Sequence, residues 1–213
     1  MQTLKINFSV LLIFAMMSGW SSSNKFRLSE GDLLFQGDAS GSGLSGAISE
    51  VTQTDEKNKF SHIGIVTEVD SDVFVLHADP VEGVCVEPLD SFLVDKDGAR
   101  RPTEAYRLKK PYRDGIDQAI ERGKSMIGKP YNFSYVADDP GYYCSELIWW
   151  AFKPDSVFSL KPMNFKDEKT GEFHPRWVNY YDDLGMDIPQ GKPGCNPNGM
   201  AASDKLIRLG SVD

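Results

Sequence analysis

The chain has 213 residues, of which 40% are hydrophobic, 11% aromatic and 25% charged. That composition fills one core-bearing domain and excludes a disordered, collagen-like or coiled-coil chain. Its 23 Lys and Arg stand against 31 Asp and Glu, a net charge of −8, which argues against a general nucleic-acid binder because such a protein presents a basic surface to phosphates.

One Lys in the first six residues is followed by the almost uninterrupted apolar run Phe8–Met17 and then by Ser18-Gly19-Trp20. This is the pattern of a secretory signal, and the run is shorter than the roughly 20 residues of a membrane span. Residues 1–23 are therefore expected to be a signal peptide and residues 24–213 a single exported domain, periplasmic or secreted. Membrane contact is expected only through the N-terminal segment, if it stays uncleaved. Export permits a disulfide, and two readings stand open: Cys85 paired with Cys195, leaving Cys144 free, or three unpaired thiols.

After a turn at Gly31, Leu33-Leu34-Phe35 reads as a short buried strand. Gly37–Gly46 is a glycine-serine loop without the spacing of a phosphate-binding motif, and Leu44–Thr52 is expected to be helical. Ser61–Val69 and Val73–Ala78 are rich in β-branched residues and read as a hairpin around residues 70–72. Val84–Val86 and Glu104–Leu108 add two strands. Ile116, Ala119, Ile120, Gly123 and Ile127 then recur at helical spacing, which predicts a helix over Asp114–Met126 stopped by Gly128 and Pro130. A loop over Tyr131–Tyr143 carries the turn Asp138-Asp139-Pro140-Gly141. Cys144–Lys153 is expected to be a second helix, Asp155–Gly199 loop-rich, and Ala202–Leu209 a final helical turn or strand. Strands, then helices, then an irregular tail predict an α+β fold with an antiparallel sheet.

Cys144, in the first turn of its predicted helix, would feel the free N–H groups and the positive end of the helix dipole, both favouring the nucleophilic thiolate. The plainer reading is a small apolar residue on the stripe with Leu147 and Ile148. His62 stands in an otherwise apolar strand, where a buried imidazole needs a partner. If the hairpin turn has two or four residues, paired positions sum to 141 and His77 falls opposite Gly64, diagonal to His62 on the same face; a three-residue turn would put the two rings on opposite faces. In the favourable register His77 fixes the tautomer of His62, whose other nitrogen serves the thiolate. A zinc site of His62, His77 and Cys144 is the competing reading, without any close ligand pair in its favour. Glu82, Glu87, Asp90 and Glu146 read as surface carboxylates, and His174 as a surface loop residue.

The runs Gly31–Phe35 (GDLLF), Ser61–Val66 (SHIGIV) and Tyr143–Leu147 (YCSEL), in that order and with Gly128-Lys129-Pro130-Tyr131 ahead of the cysteine, resemble the permuted papain-like cysteine hydrolases. These form a circularly permuted branch of the NlpC-type superfamily, and the YiiX-like proteins are the nearest in pattern. The likeness covers Leu28 to Phe152, and Ile188–Gly191 agrees with a C-terminal I-P-x-G segment. It implies a circularly permuted papain-like fold, in which an antiparallel sheet packs against the helix carrying the cysteine. It implies Cys144 as nucleophile, His62 as general base and His77 as the polar third member. YiiX-like relatives often carry Glu at that third position, and related lecithin:retinol acyltransferase-like proteins carry His. Tyr143 falls on the wall of the site as a substrate-binding residue. The implied activity is cleavage of an amide or ester through a Cys144 thioester, in a cell-wall peptide or an acylated small-molecule, peptide or lipid substrate. A lipid-type acyltransferase and a non-catalytic module binding wall fragments are the alternatives. No cofactor or metal is implied.

Overall fold

The computed structural model describes residues 26–37, 59–69, 72–167 and 170–212. The expected signal peptide and the expected helix over Leu44–Thr52 lie outside them. A six-stranded antiparallel sheet runs in the order β4-β3-β2-β1-β5-β8, built from β1 (Leu33–Gly37), β2 (Phe60–Val69), β3 (Val73–Asp79), β4 (Gly83–Pro88), β5 (Thr103–Leu108) and β8 (Leu206–Ser211). Helices α2 (Ile116–Lys124) and α3 (Cys144–Phe152) stand near their expected places, and a short α1 (Leu89–Phe92) follows β4. The chain is α+β, as its pattern predicts.

Alternation along the strands divides the core. Leu33 and Phe35 of β1, Ile63 and Ile65 of β2, and Leu76 and Ala78 of β3 pack against Leu147, Ile148, Ala151 and Phe152 of α3 and against Ile116, Ala119 and Ile120 of α2. The intervening Leu34, Val66 and Val75 meet Phe92 and Leu93 on the other face. Each strand is thus apolar on both faces, which is why the runs read as almost continuously hydrophobic.

The hairpin reaches the favourable register by an unexpected route. Its last pair is Val69↔Val73, which leaves three residues between the strands. A bulge between Val66 and Glu68 supplies the compensating residue, so Gly64 still faces His77 and both histidines share a face.

The segment 155–199 holds more structure than its loop-like composition suggests. It contains β6 (Lys161–Pro162), α4 (Pro175–Leu184) and β7 (Pro193–Gly194), and α5 (Pro197–Ala201) begins in it. α4 opens with proline in its first turn and closes on Gly185 in the left-handed region at φ 65°, the usual asymmetry of helix ends. Its stripe is aromatic instead of aliphatic: Trp177 and Tyr181 pack with Phe165, Tyr135 and Tyr143 in a third cluster.

The Gly128–Tyr131 segment straps β4 to the turn before α3. Val84 N–H donates to Lys129 O at 2.9 Å, Gly128 N–H to Val84 O at 2.9 Å, and Tyr142 N–H to Pro130 O at 3.0 Å. Gly141 sits at φ 93°, and a Cβ there would lie 2.3 Å from Pro130 O, whereas Gly128 at φ 84° has open space around it. Gly128→Ala is expected to cost about 1 kcal/mol from backbone strain alone, and Gly141→Ala at least about 2–3 kcal/mol, with loss of activity because the strap must move. Urea unfolding of the two variants, side by side, checks this.

Candidate active site

Cys144 is the first residue of α3 and is buried. The pairs of the β2–β3 ladder begin at Gly64↔His77, so the N–H of Ile63 is left out of the ladder and turns instead to the Cys144 sulfur. The N–H groups of Ser145 and Cys144 and the Ser145 hydroxyl also favour the thiolate. Burial opposes all of them and prevails, pushing the thiol up to about 11. The helix start alone would have lowered it. Desolvation by the α3–β2 packing is the larger effect.

His62 immediately precedes Ile63, and Ser61 on its other side lines the same cavity as Cys144. His62 Nε2 lies 2.9 Å from His77 Nδ1, with the rings edge to face. Both rings contact Phe92. Burial, then the repulsion that His77 exerts when protonated and the charge of Arg101, hold His62 well below its ordinary value, so it is a neutral base near pH 7. By linkage, a buried His that resists protonation leaves stability intact above about 6.5, to be lost as the pH falls toward its lowered folded value.

Glu87, read from the sequence as a surface carboxylate, completes a chain. Its Oε1 lies 2.9 Å from His77 Nε2, and the Cys85 sulfur lies 3.5 Å from the same nitrogen. With His77 neutral, the carboxylate assigns the protons in turn: His77 donates Nε2–H to Glu87 and its Nδ1 accepts from His62 Nε2–H, which leaves the lone pair on His62 Nδ1. The signal was in the pairing of β3 with β4, since Val75↔Glu87 and His77↔Cys85 place Glu87 diagonal to His77 on its own face.

Glu146 also departs from the surface reading. It is fully buried, its Oε2 accepts the Tyr143 N–H at 3.2 Å and the Asn132 amide at 3.1 Å, and its Oε1 has no hydrogen-bond partner among the described residues. Burial raises its carboxyl to about 7 against the help of Tyr143, Asn132 and Trp150. The side chain ties the residue-132 loop to the start of α3, two residues from the sulfur.

Tyr143 lines the cavity, and its hydroxyl accepts the Cys195 N–H at 3.1 Å. Ser145 Oγ donates to Cys195 O at 3.2 Å. All three cysteines are free thiols: Cys85 lies on β4 beside His77 and Cys195 lines the cavity, so the unpaired reading holds. His174 caps α4, its Nδ1 accepting the Arg176 N–H at 3.3 Å, away from the site.

A buried cysteine at a helix start, next to a strand carrying a histidine with a polar relay, is the arrangement of a papain-like hydrolase in permuted order. The model of the permuted papain-like amidases, the YaeF/YiiX C92 family, matches residues 27–210, and the chain belongs to that family. The members of that family are described as papain-like amidases.

Among relatives, the chain is 30% identical over 124 residues to the uncharacterized protein YiiX of Escherichia coli K12, covering 58% of this chain and 56% of that one. The chain thus spans about half the length of that curated relative. The crystal structure of the metalloprotein YiiX from Escherichia coli O157:H7 shares the fold, with a TM-score of 0.65 at 21% identity over 88% of this chain and 99% of that chain. Among the described residues here, no group of three or more His, Cys, Asp or Glu side chains is gathered to hold a metal ion.

Proposed function

We propose that the protein is an exported cysteine amidase or esterase in which Cys144 is the nucleophile and His62 the general base. The observation that carries this reading is the chain Glu87–His77–His62, whose hydrogen bonds leave the Nδ1 lone pair of His62 free on the strand that touches the Cys144 sulfur. His62 takes the thiol proton as sulfur attacks the substrate carbonyl. His77 orients His62, and Glu87 orients His77. The N–H groups gathered at the start of α3 hold the developing negative charge. Collapse of the tetrahedral intermediate expels the amine or alcohol, which takes its proton from His62 and leaves a thioester on Cys144. Water, deprotonated by His62, then releases the acid and restores the thiol. Export is supported by the apolar run Phe8–Met17.

Because both groups rest neutral, proton transfer accompanies attack, and the acid limb of the rate profile is expected below pH 6.5, following the lowered His62. The test of the reaction type is acid quenching during turnover of an activated ester, with peptide mapping. An acyl group on Cys144 is expected, forming at least about 100-fold more slowly in His62→Ala. Acylation of other residues only, or turnover that survives without Cys144, would overturn the reading.

A further inference from the structure

Cys195 stands between β7 and α5, and its place is set from both sides. Gly194 before it pairs with Lys161, and Asn196 after it caps α5 by accepting the Gly199 N–H at 2.8 Å. The two sequence neighbours of Cys144 then clamp it. The Tyr143 hydroxyl accepts its N–H at 3.1 Å and lies 3.6 Å from its sulfur, while Ser145 Oγ donates to its carbonyl at 3.2 Å. The same Ser145 hydroxyl is within hydrogen-bond reach of the sulfurs of both Cys144 and Cys195. Both thiols line one cavity, and Cys85 does not. Two sulfurs in reach of one oxygen are near neighbours, and rotation about their Cα–Cβ bonds brings them toward the roughly 2 Å of an S–S bond. The hydrolytic mechanism makes no use of the second thiol.

We propose that Cys195 is the resolving partner of Cys144, so that a hydroperoxide converts the two thiols to a disulfide and closes the site until a reducing thiol reopens it. Loss of turnover in the disulfide form rests on Cys144 acting as the nucleophile; formation of the bond does not. In the first step the Cys144 sulfur attacks a peroxide oxygen, its proton passes to His62, the O–O bond breaks, and the departing oxygen takes that proton back. Cys144 is then a sulfenic acid, oxidised by two electrons, and the peroxide has been reduced to water or an alcohol. In the second step the Cys195 sulfur attacks the Cys144 sulfur, the S–O bond breaks, and hydroxide leaves as water with the Cys195 proton. The bond occupies the attacking sulfur and also spares it. A sulfenic acid with no resolving thiol goes on to the sulfinic acid, which thiols do not reduce. The proposed export places the pair where disulfides form and persist.

The test treats the reduced full chain with hydrogen peroxide, blocks the remaining thiols and maps the peptides without reduction. Hydrolysis of 4-nitrophenyl acetate is followed on the same samples, with Cys144→Ala as background. A Cys144–Cys195 disulfide is expected, with turnover at least about 10-fold lower and restored by dithiothreitol. Cys195→Ser is expected to match the wild type before peroxide, then to collect sulfinic acid on Cys144 and to stay inactive after dithiothreitol. Cys144 joined to Cys85 or to no thiol in the wild type, or full recovery of peroxide-treated Cys195→Ser, would overturn the pairing while leaving the nucleophile in place. A Cys144–Cys195 disulfide in protein that still turns over the ester would overturn the nucleophile, and the switch with it.

Discussion

Cys144→Ala is expected to abolish turnover of any amide or ester that the protein hydrolyses, and His62→Ala to lower kcat/KM by about 10³-fold. The first substitution removes the atom that forms the thioester, and no neighbouring group replaces it: Cys195 is held up at about 12 and Cys85 at about 11 by burial and by nearby carboxylates. The second removes the proton acceptor from a thiol that rests at about 11, so attack at pH 7 falls back on the small thiolate fraction. His77→Ala is expected to be milder, about 10–10²-fold, because His62 persists and loses only its orientation and tautomer. Steady-state kinetics on the three variants, with melting curves to exclude unfolding, checks the order. Equal losses for His62→Ala and His77→Ala would contradict the division of roles.

The second large effect is on stability. Asp32 is fully buried beneath β1, and both its oxygens accept from Arg107 of β5 at 2.7 Å, with the Ser29 N–H added at 2.8 Å. Arg107 holds Arg27 O and Ser29 Oγ with the same guanidinium. One carboxylate thus fastens the entry of the chain to the sheet. Removing one partner of such a pair strands the other, so Asp32→Ala is expected to cost about 3–5 kcal/mol. The Arg208–Glu104 pair has similar geometry, with contacts at 2.5 and 2.6 Å, but Arg208 is 54% exposed. Glu104→Ala should therefore cost less than about 1 kcal/mol. Denaturant midpoints for the two variants decide the matter, and similar losses would show that burial is not what makes the Asp32 pair strong.

Much of this was legible in the sequence because the strands that carry the histidines are local. His62, Gly64 and His77 belong to one hairpin, whose pattern restricts the register to two parities. The bulge that chose between them left no sign in residue types, since Thr67 is an ordinary strand residue. The helix that opens on Cys144 was legible from Gly141, the apolar stripe and Pro154. The roles of Glu87 and Glu146 were not. Each depends on a long-range contact, β3 with β4 in one case and the residue-132 loop with α3 in the other, and a carboxylate looks the same in a sequence whether it is solvated or enclosed. α4 was hidden for a different reason. Its stripe is made of Trp177 and Tyr181 in a segment crowded with Pro, Gly and Asn, so composition outweighed periodicity. The raised thiol likewise reflects packing density around Cys144, which no local motif reports.

The most direct measurement of an activated Cys144 needs no substrate. Protein treated with iodoacetamide at pH 7 is mapped by mass spectrometry, with Cys85 and Cys195 as internal references and His62→Ala alongside. If His62 removes the thiol proton, Cys144 is alkylated in the wild type and at least about ten-fold more slowly in the variant, while the reference thiols keep their rates. Equal alkylation of Cys144 in both proteins would contradict its activation by His62.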